Sequence, residues 1–128
     1  MQERQEMKSS NKRKDRRLSH LEFIRFYLAE KEAPSSALVV DISLGGAQIR
    51  TRASCKEQEP CLLLVKRENK DFVEIPGEVR YCEPIPGSDL FAVGIKFLPV
   101  TTAQKKDIVN YVHNLFLEKE FLVHEPPA

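Results

Sequence analysis

The chain has 128 residues, 20 basic and 19 acidic, for a formal net charge of +1. That is one domain, able to bury roughly two thirds of its unfolded surface, and 41% hydrophobic with 30% charged residues excludes global disorder. The longest apolar run, Leu62-Leu63-Leu64-Val65, is far short of the ~20 residues of a membrane-spanning helix. Residues 1–8 carry no apolar segment of the secretory-signal kind, so a cytoplasmic protein without a membrane span is expected.

Charge is unevenly placed. Residues 1–17 hold seven Lys/Arg and three Asp/Glu, net +4, whereas residues 18–128 hold thirteen and sixteen, net −3. The excess sits in Lys12-Arg13-Lys14-Asp15-Arg16-Arg17 and points to an anionic partner met at that edge, or to a solvated basic tail. Cys55, Cys61 and Cys82 are an odd number without a CxxC pair, and His20, His113 and His124 are scattered. Neither a disulfide framework nor a metal site is expected, and no cofactor.

In chain order, residues 1–11 are polar and aperiodic and read as a flexible tail. Residues 22–29 alternate, with Ile24, Phe26 and Leu28 on one face and Phe23, Arg25 and Tyr27 on the other, which predicts a strand. Residues 31–36 break it. A second strand over 37–43 turns through Gly45-Gly46 into a third over 47–51. A double glycine there reads as a hairpin that uses positive φ.

Residues 61–66 form a fourth strand, apolar throughout. Val73, Ile75, Val79 and Tyr81 keep one period-2 phase through Pro76-Gly77, which predicts a single long strand bent or bulged at that dipeptide. After a turn over 84–89, residues 90–97 make a sixth strand with Phe91, Val93, Ile95 and Phe97 inward. Thr101 or Thr102 caps a helix beginning near Ala103, whose apolar stripe is Ile108, Val112, Leu115 and Phe116.

Six short antiparallel strands followed by a helix predict a mainly β fold: a six-stranded antiparallel β-barrel with a C-terminal amphipathic α-helix. A barrel this small is filled by side chains, so a ligand must sit on its outer surface or rim. The expected organisation is a tail over 1–11, a domain over 12–119 and a C-terminal tail over 120–128. Within the domain, 12–20 form a loop, 22–97 the barrel and 102–119 the helix.

Signatures of catalysis are missing: there is no nucleophile elbow, P-loop, GxGxxG or HExxH, and Ser43 has no histidine base at a characteristic spacing. No enzyme is expected. What stands out is a pairing. Arg13 and Arg17 form R-x-x-x-R in a segment too polar for a core, and Asp41-Ile42-Ser43-Leu44-Gly45-Gly46 reads D-x-S-x-x-G between strands two and three. Taken alone, the second motif is also a plain hairpin in which Asp41 and Ser43 bond their own backbone.

Together these motifs resemble the PilZ domain, a bacterial receptor module for cyclic di-GMP, over about residues 12–117. The resemblance implies binding of cyclic di-GMP by Arg13, Arg17, Asp41, Ser43 and Gly46, with Lys12, Arg16 and Gly45 as secondary contacts. Ligand chemistry agrees. An arginine fork meets guanine N7 and O6 or a phosphate, and the Asp41 carboxylate suits guanine N1–H and N2–H. Ser43 Oγ can donate or accept, and Gly45-Gly46 admits the ligand to backbone N–H groups.

The loop over 12–20 would then close on the dianion, changing a surface read by a protein effector acting in trans or within an oligomer. Lys12 stands where an arginine is associated with holding two stacked ligand molecules; it keeps the charge and loses the flat fork, leaving one or two per chain open. Arg50 and Arg80 point outward from their strands. Two alternatives remain: a small-barrel nucleic-acid binder using the Phe23-x-Arg25-x-Tyr27 stripe, and a PilZ-like adaptor without ligand.

Overall fold

The structure, a computed structural model, describes residues 17–29, 31, 33–66 and 71–124, with 119–124 by backbone alone. Alternating apolar residues build β1 (Leu18–Leu28), β2 (Ser35–Ile42), β3 (Gly46–Thr51), β4 (Pro60–Lys66), β5 (Phe72–Pro84) and β6 (Phe91–Phe97), followed by helix α1 (Thr102–His124). The strands pair antiparallel in the order β1-β2-β3-β6-β5-β4, and β1 pairs with β4 to close the barrel. The closing pairing of β1 with β4 covers Arg25–Leu28.

One face of each strand fills the interior. Phe26, Val39, Ile49, Leu63, Ile75, Val79 and Val93 are at most 1% exposed and form the interior of the barrel. Helix α1 adds Ile108, Tyr111 and Val112 to this core, with Leu115 and Phe116 half-buried against it. Thr101 is the cap: its Oγ1 accepts the Gln104 N–H (3.0 Å), while Gln104 Oε1 accepts the N–H groups of Val100 (2.6 Å) and Thr101 (3.2 Å). Tyr111 ties the helix to the barrel by donating its hydroxyl to Glu22 Oε1 at 2.5 Å, an oxygen also bonded to His20 Nε2 at 2.8 Å. Burial and the neighbouring carboxylate push the Tyr111 hydroxyl well above its usual range.

Several boundaries differ from the sequence reading. β1 begins at Leu18, so residues 18–20, expected in a loop, are strand; Leu18 pairs with Ile42 and is 9% exposed. A lone apolar residue ahead of a register shift carries no period. Helix α1 runs on to His124, past the expected end at 119, because its first proline is Pro126. The expected bulge at Pro76-Gly77 is not there: Pro76 and Gly77 pair in straight register with Leu62 and Cys61. The bulge lies at Arg80, between Val79 and Tyr81. It reverses the phase of the remainder of β5, so Tyr81 turns outward and Cys82 takes the inward side. Gly46 does not use positive φ; among the described glycines that belongs to Gly87.

Candidate functional site

One lateral row of the barrel's outer surface runs across five strands. Ser19, Asp41, Gln48, Gly94 and Tyr81 are successive cross-strand partners on β1, β2, β3, β6 and β5. Two bulges make the row. The extra residue Val40 turns Asp41 away from the inward phase of Ala37 and Val39, and Arg80 does the same for Tyr81. Polar and aromatic side chains thus meet on the outside of strands whose flanks face the core.

The middle of the row is a glycine, and the space over it is taken by a side chain. A Cβ on Gly94 would run into the ring of Tyr81, which crosses over it to accept a hydrogen bond from Gln48 Nε2 at 2.5 Å. The tyrosine ring therefore floors a cleft of about 400 Å³. Arg17, Asp41, Ser43, Gly45, Gly46 and Gln48 line it on one side, and Arg80, Tyr81, Gly94 and Lys96 on the other.

The turn after β2 forms the rim. The Ser43 N–H donates to the Gly46 carbonyl (2.8 Å), Ser43 Oγ donates to the same oxygen (3.3 Å), and the Gly45 N–H donates to Ser43 Oγ (3.2 Å). Gly45 in turn accepts from the Phe97 N–H (2.8 Å), which clamps the turn onto the end of β6. Ser43 is 2% exposed, so its hydroxyl serves the turn. Gly46 packs so closely on β6 that a Cβ there would strike the Ile95 carbonyl oxygen. The glycine is demanded by close approach of two strands.

Above this rim, Arg17 Nη1 donates to Asp41 Oδ1 at 2.5 Å, with side-chain exposures of 46% and 28%. An ion pair this exposed is weak and exchangeable. With Arg80 and Lys96 on the far side, the cleft offers three cations, one carboxylate and a flat ring. That set accommodates an anion, a donor-bearing heterocycle edge at Asp41, and a planar ring laid on Tyr81.

Of the residues singled out from the sequence, Arg17, Asp41, Ser43, Gly45 and Gly46 come together here; Arg13, Lys12 and Arg16 lie outside the described residues. Of the two outward arginines, Arg80 lines the cleft and Arg50 does not. Sequence reasoning missed Gln48, Tyr81, Gly94 and Lys96. The mid-strand glycine in Val93-Gly94-Ile95 was the available signal, since a glycine inside a strand marks a bulge or a close approach.

The family model of the PilZ domain matches residues 11–114. No curated protein sequence matches. Among solved structures, the PilZ domain of YcgR from Escherichia coli, determined with c-di-GMP, is 15% identical with a TM-score of 0.67, covering 90% of this chain and 99% of that one. The K. pneumonia MrkH–c-di-GMP complex is 17% identical with a TM-score of 0.69, over 84% of this chain and 54% of that one. The Bacillus subtilis inhibitor of motility MotI/DgrA is 18% identical with a TM-score of 0.63, over 84% and 52%. This chain thus spans about half the length of the MrkH and MotI/DgrA chains.

Proposed function

This chain belongs to the PilZ domain family, and from that premise we propose that it is a receptor for cyclic di-GMP, with no catalytic step of its own. The observation that carries the reading is the cleft over Gly94. It joins Arg17 and Asp41, from two motifs 24 residues apart in sequence, to a tyrosine floor and two further cations. Both family motifs are complete in the sequence, at Arg13/Arg17 and at Asp41/Ser43/Gly46.

In this reading the Arg17–Asp41 pair holds the empty cleft and exchanges on binding. Arg17 leaves Asp41 for a phosphate or for guanine N7 and O6, and the freed carboxylate takes guanine N1–H and N2–H. Both partners keep charge-assisted hydrogen bonds, so the exchange costs little. Tyr81 stacks one guanine, while Arg80 and Lys96 attract the phosphates. Ser43 acts by shaping the turn, and Gly45-Gly46 set the approach to the backbone. Arg13 closes over the ligand from the preceding segment, with Lys12 and Arg16 adding charge. The output is a changed surface at the start of β1, read by a protein effector in trans.

Calorimetric titration of cyclic di-GMP, with cyclic di-AMP as control, tests this. Binding of the guanine ligand alone is expected, weakened at least tenfold in Arg17→Ala and in Asp41→Ala. Adenine reverses the donor and acceptor pattern that Asp41 reads. Equal binding of both dinucleotides, or no heat with either, contradicts the reading. Absence of ligand heat would leave a PilZ adaptor without ligand.

A further inference from the structure

The outer face of β1 and β2 holds a second feature that the ligand cleft does not use. Leu21 is 73% exposed and Phe23 is 76% exposed. Phe23 stands directly opposite Leu38 on β2, and Leu38 opposite Arg50 on β3, so the three form one lateral row on the outside of the barrel. Arg25 is the next outward residue along β1, beside Phe23. Neither Arg25 nor Arg50 has a hydrogen-bond or ion-pair partner among the described residues. An apolar centre of Leu21, Phe23 and Leu38 is thus flanked by two uncommitted arginines, on a domain body that is net acidic.

We infer that this face docks a partner protein that presents an apolar ridge bordered by carboxylates. An aromatic anchor surrounded by aliphatic surface and arginine forks is the composition of an interface centre. The guanidinium groups have no carboxylate partner among the described residues, and an acidic border on the partner supplies the complementary charge. The row is built of outward-facing side chains, and docking goes through them. A second copy of this chain would set Arg25 and Arg50 against their own like charges. A nucleic acid would require a longer cationic track than two arginines, and the same row ends in Glu83 on β5, beyond Ala92.

The face stands whether or not cyclic di-GMP binds, so its test is run on the full chain without that ligand. The probe is a fluorescent 20-residue helical peptide with leucines at i, i+3, i+4 and i+7 bordered by glutamates. Its twin carries lysines in place of the glutamates. Saturable anisotropy with the glutamate peptide alone is expected, at least tenfold weaker in Phe23→Ser and in Arg25→Glu and falling as salt rises. Both sites are exposed, so unchanged melting temperatures in the two variants certify the fold. Equal binding of the twins, no binding by either, or binding untouched by both substitutions overturns the proposal. So does self-association abolished by Phe23→Ser, or competition of an oligothymidine or anionic vesicles for the peptide's place.

Discussion

Gly46 and Gly94 are where single atoms decide the site. Each faces a neighbour too close for a side chain, backbone in the first case and an aromatic ring in the second. Gly46→Ala has to push β3 from β6 and is expected to cost about 2 kcal/mol or more, read as a lower denaturant midpoint. Gly94→Ala displaces a side chain that can swing out. Its stability loss is expected to be smaller, and its loss of cyclic di-GMP affinity the larger effect. Ser43→Ala removes a buried hydroxyl that makes two hydrogen bonds in the turn and is expected to destabilise by about 1–2 kcal/mol. If instead Ser43→Ala unfolds at the wild-type midpoint, the turn does not depend on that hydroxyl.

At the scale of elements, α1 and β1 are joined by the Tyr111–Glu22 hydrogen bond. Tyr111→Phe removes one of the two hydrogen bonds at Glu22 Oε1, leaving that of His20, and is expected to lose about 0.5–1.5 kcal/mol. The bond also sets an alkaline limit. Burial raises Tyr111 in the folded state, and burial with the nearby Glu59 and Glu78 raises the Cys61 thiol from 9.0 to about 12. For groups raised on folding, the stabilisation is complete below the unfolded value and is lost above it. Stability is therefore expected to fall from about pH 9 upward, with a slope nearing 1.4 kcal/mol per unit for each group. Denaturant midpoints between pH 7 and 10.5 check this, and Cys61→Val should flatten the earlier part of the fall.

Most elements were legible because their periods are strong: Ile24-x-Phe26-x-Leu28 and Val93-x-Ile95-x-Phe97 name their own inner faces. Period also explains the failures. Bulges at Val40 and Arg80 shift the phase by one residue without any local composition signal, so Tyr81 read as core while it floors the cleft. Arg17 and residues of the 41–46 turn, singled out from the motifs, line one side of the cleft. The opposite side, Arg80, Tyr81 and Lys96, comes from β6, which pairs with β3, and from β5 beyond it, and no spacing along the chain announces that neighbourhood.

For the molecule as a whole, closure means that ligand energy has one cooperative unit to act on. Cyclic di-GMP at about 100 times its dissociation constant is expected to add about 2.7 kcal/mol and raise the melting temperature by roughly 10 °C. A ligand that seats in the cleft but leaves the melting temperature unmoved would mean that it binds the unfolded chain equally well. Among the described residues, no helix is long and apolar enough to cross a membrane.

Receptor function in this fold depends on where the ligand sits, and amide chemical-shift mapping on addition of cyclic di-GMP tests that most directly. The predicted result is a set of large shifts centred on Gly46, Gln48, Tyr81 and Gly94, with Arg17 and Asp41 at its edge and the outer β1 row around Arg25 little changed. Shifts concentrated away from the Gly94 row, with those four amides unmoved at saturation, would contradict it.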